Sequence, residues 1–161
     1  MGVSGSGKTT VGELLGERLG LPYRDGDDLH PQANIDKMAA GHPLTDEDRW
    51  PWLKLIGRWL SDHTDGGIIG CSALKRSYRN LIRKYAPGVC FVHVHGSHEL
   101  LHERMYHREG HFMPAALLDS QLATLEMLGD DEYGELFDIA DEPAQVTEAV
   151  VNWLQDSPTA G

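Results

Sequence analysis

Short apolar runs alternate along this chain with longer segments in which apolar residues recur at helical spacing. The short runs predict strands at 21–24, 68–71, 89–94 and 136–140, and the third of these is rich in β-branched residues. The longer segments predict helices at 9–19, 34–40, 45–63, 77–85, 98–108, 114–128 and 143–155. Strands that alternate with helices in this way are typical of an α/β protein whose parallel sheet is covered by helices on both faces.

The composition is that of an ordinary globular chain. With 161 residues, of which 40% are apolar, the sequence predicts one domain over residues 1–161. No apolar stretch approaches the ~20 residues that a membrane span needs, and no signal peptide is evident, so we expect a cytoplasmic protein. Cys71 and Cys90 lie within or at the end of apolar runs, and we expect small buried residues rather than disulfide partners or metal ligands.

The charge of the chain restricts the partners that it can bind. The formal net charge is −11 at pH 7. A surface this acidic repels the phosphate backbone of nucleic acids, so we expect no nucleic-acid partner. It repels ATP as well, unless positive groups are concentrated at one site.

One segment near the start of the chain supplies such a concentration. Residues 2–9 read Gly-Val-Ser-Gly-Ser-Gly-Lys-Thr and match every fixed position of the phosphate-loop pattern. Glycines let backbone N–H groups turn toward a phosphate, and the helix that follows adds the positive end of its dipole. The alternative is a chance glycine-rich turn, which the full match and the helix behind it disfavour. We predict that ATP is bound by Gly2, Val3, Ser4, Gly5, Ser6, Gly7, Lys8, Thr9 and Thr10.

Within this loop, Lys8 would reach the β- and γ-phosphates, and the hydroxyl of Thr9 would hold Mg²⁺. A phosphate loop normally follows a buried central strand, whereas here only Met1 precedes Gly2. The first strand of the sheet is therefore missing from this chain. We expect Met1 to be an internal methionine at the end of that strand, with the true start of the protein upstream.

Two carboxylates follow the predicted strand at 21–24. Residues 25–31 read Asp-Gly-Asp-Asp-Leu-His-Pro, which places Asp25 and Asp27 outside the carboxyl end of a parallel strand, where ligands bind in α/β proteins. One carboxylate could orient Mg²⁺ through water, and the other could accept a proton from the acceptor hydroxyl. The alternative is an Asp-Gly turn with solvated acids.

With these segments the chain resembles the bacterial-type gluconate kinases of the P-loop kinase superfamily. The matching segments are 2–9, 25–31, 34–38, 43–46, 48–53, 71–75, 78–79, 111–113 and 118–126. The most specific are the acidic segment at 25–31 and Cys-Ser-Ala-Leu-Lys at 71–75. The resemblance implies a three-layer P-loop kinase fold with a lid over the phosphates, and ATP- and Mg²⁺-dependent phosphorylation of D-gluconate to 6-phosphogluconate. It also implies a homodimer.

The resemblance implies roles for the residues of the acidic segment. Asp27 would engage the acceptor hydroxyl, and Asp25 would lie in the outer shell of the metal. His30 would line the sugar-acid pocket, although a capping or turn role is an open alternative.

The carboxylate of gluconate needs a cation of fixed geometry, which arginine provides. Arg49 is the first candidate, and its alternative is a surface ion pair with Asp46 or Asp48. Lys75 and Arg79 follow the strand at 68–71 and are further candidates, with a solvated helix face as the alternative. Ser72 would offer its hydroxyl to the substrate or cap the turn.

Arg104 and Arg108 lie four residues apart on one predicted helix. We expect a lid at about 104–114, from which both arginines swing onto the γ-phosphate and stabilise charge during transfer. His111, in the same segment, would contact the substrate. The alternative is a pair of arginines that only keeps a helix surface soluble.

Two other functions stay open at this point. The chain could phosphorylate another small acid, such as shikimate, or it could be a nucleotide-binding regulator that has lost catalysis. The segments at 25–31 and 71–75 argue against the first. The second is disfavoured by four intact residues, Lys8, Thr9, Asp27 and Arg104.

Overall fold

The computed structural model of the chain describes residues 1–3, 5–106 and 115–156. Of residues 105, 106 and 115–117 it describes the backbone alone. Within this part of the chain, none of the helices combines the length and the apolar character that crossing a bilayer requires. Outside the described residues lie three predicted site residues, Ser4, Arg108 and His111, and most of the predicted lid.

The elements follow the alternation that the sequence predicts. The helices are α1 (Lys8–Leu19), α2 (Gln32–Ala39), α3 (Asp46–Asp62), α4 (Arg76–Tyr85), α5 (His98–Tyr106), α6 (Ala115–Thr124) and α7 (Pro143–Asp156). The strands are β1 (Tyr23–Asp25), β2 (Ile68–Gly70), β3 (Phe91–His95) and β4 (Gly134–Asp138). A 3₁₀ turn at Gly26–Leu29 follows β1 directly.

Local signals set most helix ends. Gly20 ends α1 in the left-handed conformation, with φ +69°. Thr45 caps α3, where its hydroxyl accepts the N–H of Asp48 and the Asp48 carboxylate accepts the N–H of Thr45. The prediction that α6 reaches residue 128 is wrong. Its end is set by tertiary contacts, because the N–H of Glu126 donates to the carbonyl of Leu74 at 2.7 Å.

All strand pairs in the described residues are parallel, as predicted. β1 pairs with β2, so that Asp25 lies opposite Gly70, and β3 pairs with β4. Met1 and Gly2 lie between β2 and β3, where Met1 pairs with β3 and the N–H of Gly2 donates to the Ser72 carbonyl at 3.3 Å. Behind Met1, a cavity of about 490 Å³ separates the two strand pairs.

Helices cover both faces of the strands. α1 contacts α7, and together they bury the face that includes Ile68, while α3 contacts α4 over the face that includes Ile69. The two isoleucines are consecutive in β2, so their opposite placement follows from the alternation of side chains along a strand. The predicted three-layer arrangement is therefore confirmed, and the carboxyl ends of the strands meet at one edge, beside residues 2–9.

His93 on β3 is an acid-sensitive position of the core. It is 0% exposed, and neither ring nitrogen has a hydrogen-bond partner among the described residues. Burial, and then the charge of the amino terminus, lowers the pKa of His93 from 6.5 to about 3. An unfolded chain therefore binds a proton that the folded chain does not, at pH values between these two.

We predict that this histidine makes stability fall with pH. Its contribution is complete above pH 6.5 and is lost toward pH 3, with about 3 kcal/mol lost between pH 7 and pH 4. Denaturant unfolding of His93→Gln across this range should show a flatter pH dependence than the parent chain. His42→Gln, at an exposed loop position, is the control, and equal slopes for both variants would contradict the assignment.

Candidate active site

The glycine-rich segment has the backbone conformation that a phosphate loop requires. Gly5 and Gly7 have φ of +79° and +89°, in the region that side chains disfavour. The N–H of Ser6 donates to the Val3 carbonyl at 3.2 Å, which closes the turn, and α1 begins at Lys8. The first N–H groups of a helix have no partner inside the helix, so this end of α1 suits an anion.

Arg104 lies beside this loop although it is far away in sequence. A Cβ added to Gly7 would lie 3.9 Å from Nη1 of Arg104. The Nη2 group donates to the carbonyl of Ile139, which follows β4 and holds the guanidinium at the carboxyl edge of the strands. The structure thus brings the predicted catalytic Lys8 and Arg104 to the same loop. Thr9 and Thr10 follow in the first turn of α1, with Thr10 exposed.

The acidic segment turns back toward the loop. Asp25 ends β1, and its Oδ1 accepts the N–H of Asp27 at 3.0 Å, which opens the 3₁₀ turn. Surrounding protein atoms raise the pKa of Asp27, the charge of Asp25 raises it further, and Lys8 and His30 oppose this. The two predicted carboxylates therefore have different environments, since Asp25 is fixed by a backbone hydrogen bond and Asp27 is more basic than an ordinary aspartate.

His30 is held flat against a tryptophan. Its ring stacks on Trp52 with centroids 4.2 Å apart, and Nε1 of Trp52 donates to the Gly26 carbonyl at 2.8 Å. The amide nitrogen of Asn34 lies 3.2 Å from Nδ1 of His30 and donates to the Asp48 carbonyl at 2.9 Å. Burial, which outweighs the charge of Asp27, lowers the pKa of His30. Since Asn34 donates to Nδ1, the neutral ring carries its proton on Nε2 and can donate to an acceptor.

Two of the predicted cations converge on one carboxylate. Nζ of Lys75 lies 3.2 Å from both oxygens of Asp46, and Nη1 of Arg49 lies 3.8 Å from Oδ1. The hydroxyl of Tyr78 donates to the same oxygen at 2.5 Å and accepts from Arg49 at 3.2 Å. About a third of each charged side chain stays exposed. The ion pair named as the alternative for Arg49 is thus present, in a cluster that still offers two cations to solvent.

The loop after β2 joins this cluster to the phosphate loop. The carbonyl of Ser72 accepts the N–H of Gly2 at 3.3 Å. Ala73 has φ +44° and is 1% exposed, an unusual conformation for a residue with a Cβ. Strain of this kind is tolerated where the surrounding contacts enforce it, and here it sets the direction from Ser72 to Lys75.

The structure does not bring Arg79 into the site. Arg79 is 0% exposed, and its Nε and Nη2 donate to the Glu132 carboxylate at 2.7 and 3.0 Å. Its Nη1 donates to the carbonyl of Ala73 at 2.9 Å. Burial alone would raise the pKa of Glu132, but the bonds from Arg79, Gly129 and Arg83 hold it at about 2. The geometry therefore gives Arg79 a structural role, the support of the loop after β2.

Sequence reasoning missed the residues that hold the site residues in place. Asn34 and Tyr78 lie in segments that matched the family, but they were assigned no role, and Asp46 was named only as a possible ion-pair partner of Arg49. The fold alone brings Tyr78 to Asp46, which is 32 residues away, and Asn34 to the carbonyl of Asp48, which is 14 residues away. The ion pair of Asp46 with Arg49 could be named from the sequence, because a spacing of three residues lets the two side chains meet on a helix.

This chain is similar to known kinases. A family model described as shikimate kinase matches residues 4–127. The gluconokinase of Gluconobacter oxydans (strain 621H) is 55% identical over 135 residues, which cover 82% of this chain and 76% of that protein. The chain belongs to the gluconokinase family of P-loop kinases.

Solved structures place it among the same proteins. A gluconokinase from Sinorhizobium meliloti 1021 superposes with a TM-score of 0.84 at 47% identity, covering 98% of this chain and 95% of that one. A sugar kinase from Janibacter sp. HTCC2649 gives a TM-score of 0.88 at 48% identity, with 98% and 93% coverage. The predicted P-loop kinase fold and the predicted gluconokinase family are therefore confirmed.

The contacts of Asp46 lead to a prediction that can be tested without substrate. The hydrogen bond to Asp46 is the main reason why the pKa of Lys75 is raised. We expect Asp46→Asn to lower the pKa of Lys75, because the asparagine carries no charge. An NMR titration of the Lys75 side chain measures this directly. Glu47→Gln, one residue away on α3, should leave the Lys75 titration in place, and an unchanged pKa in Asp46→Asn would remove Asp46 from the cluster.

Proposed function

We propose that this chain transfers the γ-phosphate of ATP to D-gluconate and releases ADP and 6-phospho-D-gluconate. The observation that carries the proposal is a series of neighbouring charged groups: Lys8 and His30 act on Asp27, Arg49 acts on His30, and Arg49 and Lys75 share Asp46. Side by side, these groups provide a site for a polyphosphate, a carboxylate that can act as a base, and two cations that can bind the carboxylate of an acid. Relatives named gluconokinase over most of the chain support the same reaction.

The donor end holds the phosphates. Backbone N–H groups of residues 2–9 and the amino end of α1 would bind the β- and γ-phosphates, with Lys8 beside them. Arg104, held next to Gly7, would meet the negative charge that grows on the transferred group. Positioning and electrostatic stabilisation account for most of the catalysis in reactions of this class.

The acceptor hydroxyl would be deprotonated at Asp27. Its raised pKa makes the carboxylate a better proton acceptor than an ordinary aspartate. As the proton moves to Asp27, a bond forms between the acceptor oxygen and the γ-phosphorus. The bond from that phosphorus to the bridging oxygen of ADP breaks, and the electron pair leaves with ADP.

The part of the site formed by Arg49 and Lys75 would bind the carboxylate of gluconate. Arg49 and Lys75 carry two positive charges against the single negative charge of Asp46, so one further carboxylate balances the cluster. A carboxylate there would orient the sugar chain along the cleft. The Nε2–H of His30 would donate to one of its hydroxyl groups.

Magnesium fits the donor atoms at this edge of the strands. Thr9 provides a hydroxyl oxygen at the start of α1 and Asp25 a carboxylate at the end of β1, the hard oxygen ligands that Mg²⁺ prefers. Thr9 would hold the ion directly and Asp25 through water. When bound, the ion neutralises charge on the β- and γ-phosphates. We further propose, from the family resemblance, a homodimer that acts in the cytoplasm.

A substrate panel separates this proposal from its rivals. The purified chain should release ADP from MgATP in the presence of D-gluconate, and far less with shikimate or glucose. The family model described as shikimate kinase makes shikimate the necessary comparison. ADP release with shikimate alone would reassign the acceptor, and nucleotide binding without turnover on any acid would favour a regulator.

The Lys8→Ala variant tests the phosphate loop as the site of ATP binding. Lys8→Ala should lower kcat by about 10²–10³-fold, because a fixed positive group is lost from the transferred phosphate. Circular dichroism should show an intact fold. Lys54→Ala removes a lysine from an exposed position of α3 and should keep the parent kcat, whereas an unchanged kcat in Lys8→Ala would reject the loop as the phosphate site.

Arg49 tests the acceptor end. Arg49→Ala should raise KM for gluconate by about 10–100-fold, the loss expected for a hydrogen bond to a charged group, and should barely change KM for ATP. Initial rates with each substrate varied in turn give both constants. Arg58→Ala, an exposed arginine of the same helix, is the control, and equal changes in both KM values would remove Arg49 from the acid-binding end.

A further inference from the structure

Residues 118–126 resemble the gluconate kinases but supply none of the side chains proposed to bind ATP or the acid. They cover most of α6, which ends at Thr124, and the first residues of the loop that leads to β4 at Gly134. The last of them, Glu126, is exposed, yet it contacts the backbone of a distant loop through both its N–H and its carboxylate.

Glu126 binds the two peptide groups that flank Lys75. Its N–H donates to the Leu74 carbonyl at 2.7 Å, which belongs to the peptide group before Lys75. Its Oε1 accepts the N–H of Arg76 at 2.8 Å, which belongs to the peptide group after Lys75. Because peptide groups are planar, the only soft torsions between these two groups are those of Lys75 itself. Holding both groups therefore fixes the direction of the Cα–Cβ bond of Lys75.

The carboxylate of Glu126 also supplies a cap that α4 lacks locally. Lys75 is the N-cap residue of α4, and its side chain makes no capping hydrogen bond. The first turn of the helix contains no acidic residue either. The start of a helix has N–H groups without intrahelical partners and the positive end of the dipole, and a carboxylate satisfies both. Glu126 provides this carboxylate from 50 residues away.

The loop that carries Glu126 is itself anchored to the core. The fully buried Arg79 donates through Nη1 to the Ala73 carbonyl at 2.9 Å and through Nη2 to the Met127 carbonyl at 3.4 Å. Met127 directly follows Glu126, so Arg79 joins the two loops beside the contacts of Glu126. The support for Lys75 is therefore connected to a buried network rather than to a loose surface segment.

The side chain of Lys75 extends from this support toward the acid-binding cations. Its Nζ lies 3.2 Å from both oxygens of Asp46, which Arg49 also approaches, and about a third of the side chain is exposed. Lysine has a long and flexible side chain, so its ammonium group returns to one point only when its backbone is fixed. The contacts of Glu126 meet this requirement.

We propose that Glu126 is a positioning residue that holds Lys75 in the orientation in which it binds the carboxylate of the acceptor. This rests on the proposed function, since it concerns the part of the site formed by Arg49 and Lys75. Glu126 acts through the backbone of Lys75 rather than on the acceptor itself. Its loss therefore weakens binding of the acid and leaves the phosphate loop and the transfer step as they are.

Initial rates separate the positioning of Lys75 from the transfer step. Glu126→Ala should raise KM for gluconate about fivefold, because without the cap only a fraction of the molecules hold Lys75 in the binding orientation. Neither kcat nor KM for ATP should change. Glu126→Gln keeps an oxygen that accepts the Arg76 N–H and should restore the parent KM. An unchanged KM in Glu126→Ala, or a KM in Glu126→Gln as high as in Glu126→Ala, would overturn the proposal.

Asp131→Ala is the control for a general loosening of the start of α4. Asp131 accepts hydrogen bonds from Nη1 and Nη2 of Arg76, so it holds the same residue by its side chain rather than by its peptide group. This variant should keep the parent KM for gluconate. A KM raised as much as in Glu126→Ala would overturn the proposal, because any damage at this helix end would then have the same effect. Both residues are exposed, and circular dichroism checks that the variants fold.

A side-chain titration tests the link between Glu126 and Lys75 without catalysis. The pKa of Lys75 is raised mainly by its hydrogen bond to Asp46. An NMR titration should show a lower Lys75 pKa in Glu126→Ala, and the parent pKa in Glu126→Gln, which loses the same charge but keeps the bond to Arg76. An unchanged Lys75 pKa in Glu126→Ala would overturn the positioning role even if the chain phosphorylates gluconate. A lowered pKa in a chain that does not phosphorylate gluconate would support the hold on Lys75 and reject the proposed reaction.

Discussion

A chain with a net charge of −11 can hold a polyphosphate only where its positive groups meet at one point. Here that point is the turn into α1. The positive φ values of Gly5 and Gly7 open the backbone there, Lys8 begins the helix, and Arg104 is held against Gly7 by the Ile139 carbonyl. Parallel strand pairing supplies the rest of the site, because it brings the ends of β1, β2 and β4 to the edge that the loop occupies.

Burial distinguishes Arg79 from the partly exposed Arg49 and Lys75. Arg79 lies fully buried in a paired network with Glu132, and a charge held in this way supports structure because releasing it would leave its partner unpaired in the core. Arg49 and Lys75 share Asp46 at a partly exposed position. A carboxylate from solvent can displace Asp46 there or bind the two cations beside it. Lys75 and Arg79, two cations four positions apart, therefore differ in their access to a ligand.

Features encoded by neighbouring residues could be predicted from the sequence, and features that depend on distant partners could not. The phosphate loop, the Thr45 cap and the parallel arrangement follow from local patterns. The burial of Arg79 depends on Glu132, which is 53 residues away. The end of α6 depends on the hydrogen bond from Glu126 to the Leu74 carbonyl. Neither feature has a signal in the neighbouring residues. For the candidate site, residue types were predictable, whereas the placing of His30 by Trp52 and Asn34 required the fold.

The central claim is that this one cleft moves a phosphoryl group from ATP to a hydroxyl of a sugar acid. Phosphorus NMR of the chain with MgATP and D-gluconate observes the transfer directly. We expect a phosphomonoester resonance that grows in step with ADP and is absent when gluconate is omitted. Inorganic phosphate as the partner of ADP, or unchanged ATP in the presence of folded protein and gluconate, would contradict it.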